Sequence, residues 1–176
     1  MKNLTAKKLC LTALFIALTF VATFVVQIPL LSGYGYLNLG DAFVFLSAFL
    51  LGPIWGTVAA GIGSALADVI GYLAYAPATL IIKSAMAFLA WLTYKSLLKV
   101  CKKEVLAEIV AGVAGTLVMV VGYFLYEVLL FVTPAVAIVN SLWNCLQGAT
   151  GTVLAVLLMR ILLKIKPLSS ITSLGK

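Results

Sequence analysis

Long apolar segments separated by short polar breaks run through the whole of this chain. Six can be distinguished, at residues 6–31, 37–51, 54–73, 77–98, 105–132 and 136–163. A helix that crosses a bilayer needs about 20 predominantly apolar residues, so segments of this kind are typical of transmembrane helices. The composition agrees, since 64% of the 176 residues are hydrophobic and the mean hydropathy is +1.22. The sequence therefore predicts an all-α integral membrane protein, a six-helix bundle that forms a single domain over residues 1–176.

Most basic residues lie on one side of the predicted bundle. Eleven of the twelve fall before the first helix, in the break between the fourth and fifth helices, or at the end of the chain. They are Lys2, Lys7, Lys8, Lys95, Lys99, Lys102, Lys103, Arg160, Lys164, Lys166 and Lys176. Because basic loops stay in the cytoplasm, this distribution predicts that both termini are cytoplasmic. The net charge of +7 then follows from membrane topology and does not indicate nucleic-acid binding.

Several kinds of catalytic chemistry are excluded by residues that the chain lacks. It has no histidine, which rules out H-E-x-x-H zinc sites and Ser–His dyads. It has no G-x-x-x-x-G-K-[ST] motif, so this chain does not hydrolyse ATP by the P-loop route. Its cysteines, Cys10, Cys101 and Cys145, form no C-x-x-C pair. We therefore predict no catalytic residue, no metal site and no bound cofactor.

Three ionisable residues stand out within the apolar segments. Asp68, Lys83 and Glu127 each lie five or six residues inside the same, outer face of the predicted bundle. Inserting one such group at the centre of a transmembrane helix costs about 2.5–3.5 kcal/mol. Because three occur at one depth, beside the amides of Asn140 and Asn144, we expect them to form a polar pocket that opens to the outside.

Amide and aromatic side chains accompany these charges. Asn140, Asn144 and Gln147 follow i, i+4, i+7 spacing and share one helix face. A glycine-containing loop before the second helix carries tyrosines that are placed to close over a ligand. Amides and carboxylates suit the polar edge of a small flat ligand, and aromatic rings suit its faces. The candidate substrate-binding residues are Lys83, Glu127, Asn140, Asn144, Trp143, Tyr34, Tyr36 and Asp68.

The same residues also have structural interpretations. Intramembrane Asn and Gln often link helices, each contributing about 0.6 kcal/mol on average. Lys83 can form an internal ion pair with Asp68 or Glu127. On the binding interpretation, Lys83 and Glu127 face the ligand and Asp68 mainly holds Lys83 in place. Asn38 fits a helix N-cap and Asp41 the first turn, so we expect these two to be structural.

Four short stretches resemble one family of membrane proteins. They are YLNLGDAF (36–43), LLGP (50–53), GIGSALAD (61–68) and APATLIIK (76–83). With the predicted helices, the basic ends and the Ala13-x-x-x-Ala17 pair, they are similar to the substrate-binding S components of energy-coupling factor (ECF) vitamin transporters. The stretches most resemble the branch associated with hydroxymethylpyrimidine and pyridoxine.

The resemblance implies a function and partners. An S component binds a small water-soluble vitamin at the outer face with high affinity. It then docks on a transmembrane coupling subunit driven by two cytoplasmic ATPases. The family's docking face maps onto Ala13 and Ala17, and the implied location is the bacterial plasma membrane. The expected ligand is hydroxymethylpyrimidine or pyridoxine, with riboflavin, pantothenate or folate as alternatives.

Two other function classes stay open. A structural membrane subunit would use its polar residues as helix-packing groups, so removing Asn140 or Glu127 would destabilise it without loss of a ligand. An ion-coupled carrier would use Asp68 and Glu127 as a relay. The lack of a recognisable inverted repeat weighs against the carrier.

Overall fold

The protein consists of long helices with one short hairpin between the first two. The computed structural model describes residues 2–30, 35–130 and 132–164. The elements are α1 (Lys2–Val25), β1 (Ile28–Pro29), β2 (Tyr36–Leu37), α2 (Gly40–Gly71), α3 (Ala76–Cys101), α4 (Glu104–Leu130) and α5 (Pro134–Lys164). The strands pair antiparallel, with Ile28 opposite Leu37. All five helices are long and apolar enough to cross a membrane.

The helix count differs from the sequence prediction. The described residues contain five helices and do not support six separate ones, because segments 37–51 and 54–73 are joined across a kink in α2. The break between them is confined to Gly52, with φ 84° and ψ −170°, followed by Pro53. Only glycine adopts this conformation without strain, and proline removes a backbone donor, so the chain turns without needing a loop.

The two arms of α2, residues 40–51 and 53–71, fold back on each other at this turn. The Ser47 hydroxyl donates to the Gly56 carbonyl at 3.1 Å. In an unbroken helix, residues nine positions apart would be separated by about 13 Å along the axis. Just beyond the two ends of α2, the rings of Tyr36 and Tyr72 are 4.7 Å apart. Both ends of α2 therefore lie at the same end of the bundle.

The first arm of α2 forms the centre of the molecule. Every residue from 40 to 51 except Phe43 is buried. α2 packs against α1, α3 and α5, while α3 packs against α4 and α4 against α5. The chain enters this central arm from β2, so polar residues at the start of α2 are carried into the interior.

Small residues let the helices approach closely, as in many membrane bundles. A Cβ on Gly63 would lie 2.7 Å from the backbone oxygen of Ile16 on α1. Between α4 and α5, Gly112 faces Thr152 and Gly148 faces Thr116, each with less than 3 Å for an added Cβ. These contacts fix the arrangement of the helices around the site.

The end of the bundle away from the β-hairpin carries the remaining acidic side chains. Arg160 near the end of α5 pairs with Glu104 at 3.2 Å and with the buried Glu108, both in the first turns of α4. The exposed Lys99 and Lys102 lie at this end too. Of the basic residues used to predict topology, Lys166 and Lys176 lie outside the described residues.

Candidate functional site

A polar cavity lies at the end of the bundle where the β-hairpin meets both ends of α2. Its volume is about 40 Å³, room for a few water-sized groups. Every helix contributes to its wall. The lining residues are Thr23, Leu30, Gly35, Tyr36, Asn38, Ser64, Asp68, Tyr72, Tyr75, Thr79, Lys83, Tyr123, Glu127, Asn144 and Gln147.

An ion pair between Lys83 and Asp41 forms one part of this site. The Lys83 ammonium donates to Asp41 Oδ1, and both residues are almost completely buried. Gln147 Nε2 donates to the other oxygen of Asp41 at 2.8 Å. The ammonium also lies 5.8 Å from the centre of the Tyr123 ring, within the range of a cation–π contact. Lys83 thus has its counter-ion within the protein.

This pairing corrects the expected role of Asp68. Asp68 was expected to hold Lys83, but the structure gives that contact to Asp41. Asp41 lies in the first turn of α2, as expected, and it does not line the cavity. The reason is that the start of α2 lies inside the bundle, which brings Asp41 level with Lys83 on α3.

Asp68 instead contacts an aromatic side chain of the hairpin. The Tyr36 hydroxyl donates to Asp68 Oδ1, and the Tyr36 ring packs against Tyr72 at 4.7 Å. Burial and the adjacent Asp68 carboxylate raise the pKa of the Tyr36 phenol, so it remains a donor at neutral pH. Thr79 and Tyr123 complete this wall with a hydroxyl–hydroxyl hydrogen bond of 2.9 Å.

Glu127 is the second carboxylate of the wall. Asn140 Nδ2 donates to Glu127 Oε2 at 3.0 Å, and the Tyr75 hydroxyl lies 3.5 Å from Oε1. Glu127 and Asn140 are both buried. Asn140 does not line the cavity and acts through Glu127, whose carboxylate it orients.

The hairpin is tied to the cavity through Asn38. The backbone nitrogen and the side-chain amide of Asn38 donate to Gln147 Oε1 at 3.1 and 3.3 Å. Asn38 Oδ1 accepts from the Gly40 nitrogen at 2.9 Å, which satisfies a donor at the start of α2. The prediction that Asn38 is the N-cap is wrong, because Leu39 holds that position. Asn38 therefore joins the end of the hairpin, α2 and α5.

The predicted candidates fall into three groups. The structure brings Lys83, Glu127, Asn144, Tyr36 and Asp68 together on the cavity wall. Of the other three, Asn140 lies behind Glu127, Trp143 is not on the wall, and Tyr34 lies outside the described residues.

Trp143 is not on the wall, because it precedes Asn144 by one position and its side chain turns to the outer surface, where it is 36% exposed. Tyr34 lies outside the described residues. Ala13 and Ala17 lie on α1, and both are exposed.

Sequence reasoning missed some residues of the wall and of the polar contacts behind it. Thr23, near the end of α1, lines the cavity and also sits where a Cβ on Gly40 would clash. The sequence did not mark Thr23 as a site residue, since threonine is common in apolar helices. Asn38 and Asp41 were recognised as polar but assigned only to helix capping. Their closeness to Gln147 and Lys83 depends on tertiary packing that helix periodicity does not encode.

The side chains around the cavity suit the binding of a small molecule. Within the described residues no group of three or more His, Cys, Asp and Glu side chains is placed to hold a metal ion. Hydroxyl, amide, carboxylate and aromatic groups converge on one small space, which suits the recognition of a small polar molecule.

Comparison with known proteins agrees with this fold. The family model described as "ECF-type riboflavin transporter, S component" matches residues 3–164. A relative from Pyrococcus woesei, an uncharacterised protein of the gap 3′ region, is 37% identical over 135 residues, which are 76% of this chain and 86% of the relative.

Among solved structures, the S component of a bacterial ECF transporter matches with a TM-score of 0.68 and 22% identity. The match covers 91% of this chain and 97% of that one, and it supports the fold alone. Because the family model spans almost the entire chain, this protein belongs to the S components of ECF-type transporters, multi-pass membrane subunits that bind a vitamin substrate and catalyse no reaction.

Proposed function

We propose that this S component binds a small heteroaromatic vitamin or vitamin precursor in the cavity and delivers it for import. The observation that carries the proposal is the convergence of Asp68, Glu127 and Asn144 with tyrosine rings on one small buried space. Hydroxymethylpyrimidine and pyridoxine are the best candidates, because a single-ring compound requires less enlargement of a cavity of about 40 Å³ than a multi-ring vitamin does.

Riboflavin is the second candidate, since the matching family model carries its name. A three-ring flavin with a ribityl chain is far larger than a cavity of about 40 Å³, so it would require the hairpin to move away from Gln147. Pantothenate and folate are further alternatives, and both bring negative charge to a wall that already holds carboxylates. The single-ring compounds need the smallest rearrangement of the hairpin and the cavity wall.

We place the cavity at the outer face and both termini in the cytoplasm. The fold-back of α2 supports this orientation, because it puts the start of α1 and the end of α5 at the same end of the bundle. That end carries Lys99, Lys102 and Arg160, and the cavity end carries Lys83 alone among the described basic residues.

Transport requires partners, which for an S component are a transmembrane coupling subunit and two cytoplasmic ATPases. We propose that the coupling subunit docks on α1 at Ala13 and Ala17. Both residues are exposed, and the principal neighbour of α1 within the chain is α2. Small side chains on a free helix face permit close approach of another helix.

The direct test is mass spectrometry of small molecules that co-purify with the protein in mild detergent, followed by binding measurements with the compound found. A single-ring vitamin or precursor should be retained. Asn144→Ala should weaken its binding about tenfold, because one hydrogen bond to the ligand is lost. Leu142→Ala is the control on the same helix, since Leu142 points outward and is 67% exposed.

Two outcomes would count against the proposal. Unchanged affinity in Asn144→Ala would remove this residue from the site. If no vitamin is retained or bound, and replacement of cavity residues changes only thermal stability, the chain would be a structural subunit.

A further inference from the structure

The carboxylates of this protein differ in whether a basic side chain pairs with them. The chain has five acidic residues. Asp41 pairs with Lys83, and Glu104 and Glu108 share Arg160. Within the part of the chain that the structure describes, the other two, Asp68 and Glu127, form no ion pair.

These two carboxylates are the ones that line the cavity. Both are buried, with 4% and 3% of their surface exposed. Their protein partners are neutral donors, the Tyr36 phenol for Asp68 and the Asn140 amide for Glu127. Among the described side chains, the only ammonium nearby belongs to Lys83, which Asp41 already neutralises. An ionised carboxylate in such surroundings is costly unless a positive charge accompanies it, and a singly charged ligand can accompany one of the two.

We infer that the ligand itself supplies this charge and binds as a cation: a six-membered nitrogen heterocycle with an amino group beside a protonated ring nitrogen. The inference rests on the proposed function and narrows it to one class of substrate. Such a ring offers two adjacent N–H donors, which fit the two oxygens of one carboxylate as a guanidinium does.

Asp68 is the carboxylate placed to accept hydrogen bonds from the amino group and the protonated ring nitrogen of the ligand. It lies beside the Tyr36–Tyr72 pair, so a ring that donates to Asp68 can stack on Tyr72. In the structure Tyr36 supplies both features, an aromatic ring against Tyr72 and a hydroxyl donor to Asp68. The ligand takes over these contacts when Tyr36 moves aside. Glu127, held by Asn140, is left for a second donor on the far side of the ring, such as a hydroxyl group.

The first test compares two ligands on the unaltered protein. Hydroxymethylpyrimidine has the amino group beside a ring nitrogen, and its matched analogue has oxygen in place of that group. Isothermal titration in detergent should show at least about 100-fold tighter binding of the amino compound, because the analogue leaves a buried carboxylate without its cation. Pantothenate, an anion, should not bind.

The second test alters the carboxylate and keeps its shape. Asp68→Asn retains an oxygen that accepts from Tyr36 but removes the charge. It should weaken binding of the amino compound about 100-fold. The affinity for the oxygen analogue should change by no more than about threefold. Glu104→Gln, at the other end of the bundle, is the matched control and should leave both affinities unchanged. Thermal unfolding of each variant reports whether the fold is intact.

The outcomes separate this inference from the function on which it rests. Equal binding of the two analogues, or tighter binding of riboflavin or pantothenate, would overturn the inference and leave a vitamin-binding S component. If no compound binds and none co-purifies, both the function and the inference fail.

Discussion

At the scale of single residues, the Lys83–Asp41 pair makes a specific prediction about stability. Lys83→Met removes the ammonium and leaves Asp41 buried without a counter-ion. Breaking a buried pair from one side typically costs about 3–5 kcal/mol. We therefore expect Lys83→Met to lower the free energy of unfolding by an amount in this range, measured by denaturant titration in mild detergent.

The double variant Asp41→Asn/Lys83→Met should recover part of the lost stability, since neither charge is then buried alone. Lys99→Met, at an exposed position on the same helix, should change stability by less than about 0.5 kcal/mol. Strictly additive single effects, or a small effect of Lys83→Met, would show that the pair is not coupled.

The position of Lys83 could be predicted from the sequence, but its partner could not. Depth along the helices placed Lys83, Asp68 and Glu127 at one level, and the structure puts all three on the cavity wall. The partner of Lys83 was not predictable in this way. Asp41 follows the hairpin by only a few residues, so counting from the helix end places it at the membrane boundary rather than in the interior. The rotation of α5, which aims Asn144 inward and Trp143 outward, likewise depends on packing.

At the scale of elements, the turn within α2 determines the architecture. Gly52 has a positive φ that is essentially restricted to glycine, and Gly56 packs on the opposite arm. Gly52→Ala should destabilise the protein by about 1–3 kcal/mol through backbone strain. Gly56→Ala should do so by a similar amount, because its Cβ would lie 2.4 Å from the Ser47 backbone oxygen.

Gly71→Ala is the matched control for both changes, because the nearest atom to its added Cβ is 3.9 Å away. All three variants can be ranked by their midpoint of thermal unfolding in one detergent. If Gly52→Ala behaves like Gly71→Ala, then the fold-back of α2 does not depend on glycine at this position.

The sequence predicted the position of this break, but not that the two segments join directly within one helix. Gly52-Pro53 was a clear boundary between apolar segments, and a boundary of this kind normally indicates a loop between separate helices. The structure reverses direction over a single residue, because close packing of Ser47 against Gly56 compensates for the missing loop. Long apolar helices were predictable from hydropathy, whereas the way in which two of them join was not.

At the scale of the whole molecule, the features proposed for binding and for docking lie on separate surfaces. The cavity is built at one end from all helices, and Thr23 is the only cavity residue from α1. Ala13 and Ala17 lie nearer the start of α1, further from the cavity, and both are exposed. A change at Ala13 therefore alters a surface without touching the cavity wall.

This separation predicts that docking can be lost while binding is kept. Ala13→Trp places an indole on the face where close helix approach is proposed, so it should abolish vitamin transport and co-purification of the coupling subunit. Vitamin affinity of the isolated protein should stay within about twofold, because no cavity contact changes. Val153→Trp, on α5 at a position 59% exposed, controls for a tryptophan on the outer surface and should transport normally. Transport that survives Ala13→Trp would place the docking face elsewhere, whereas a loss of affinity would mean that α1 and the cavity are coupled through α2.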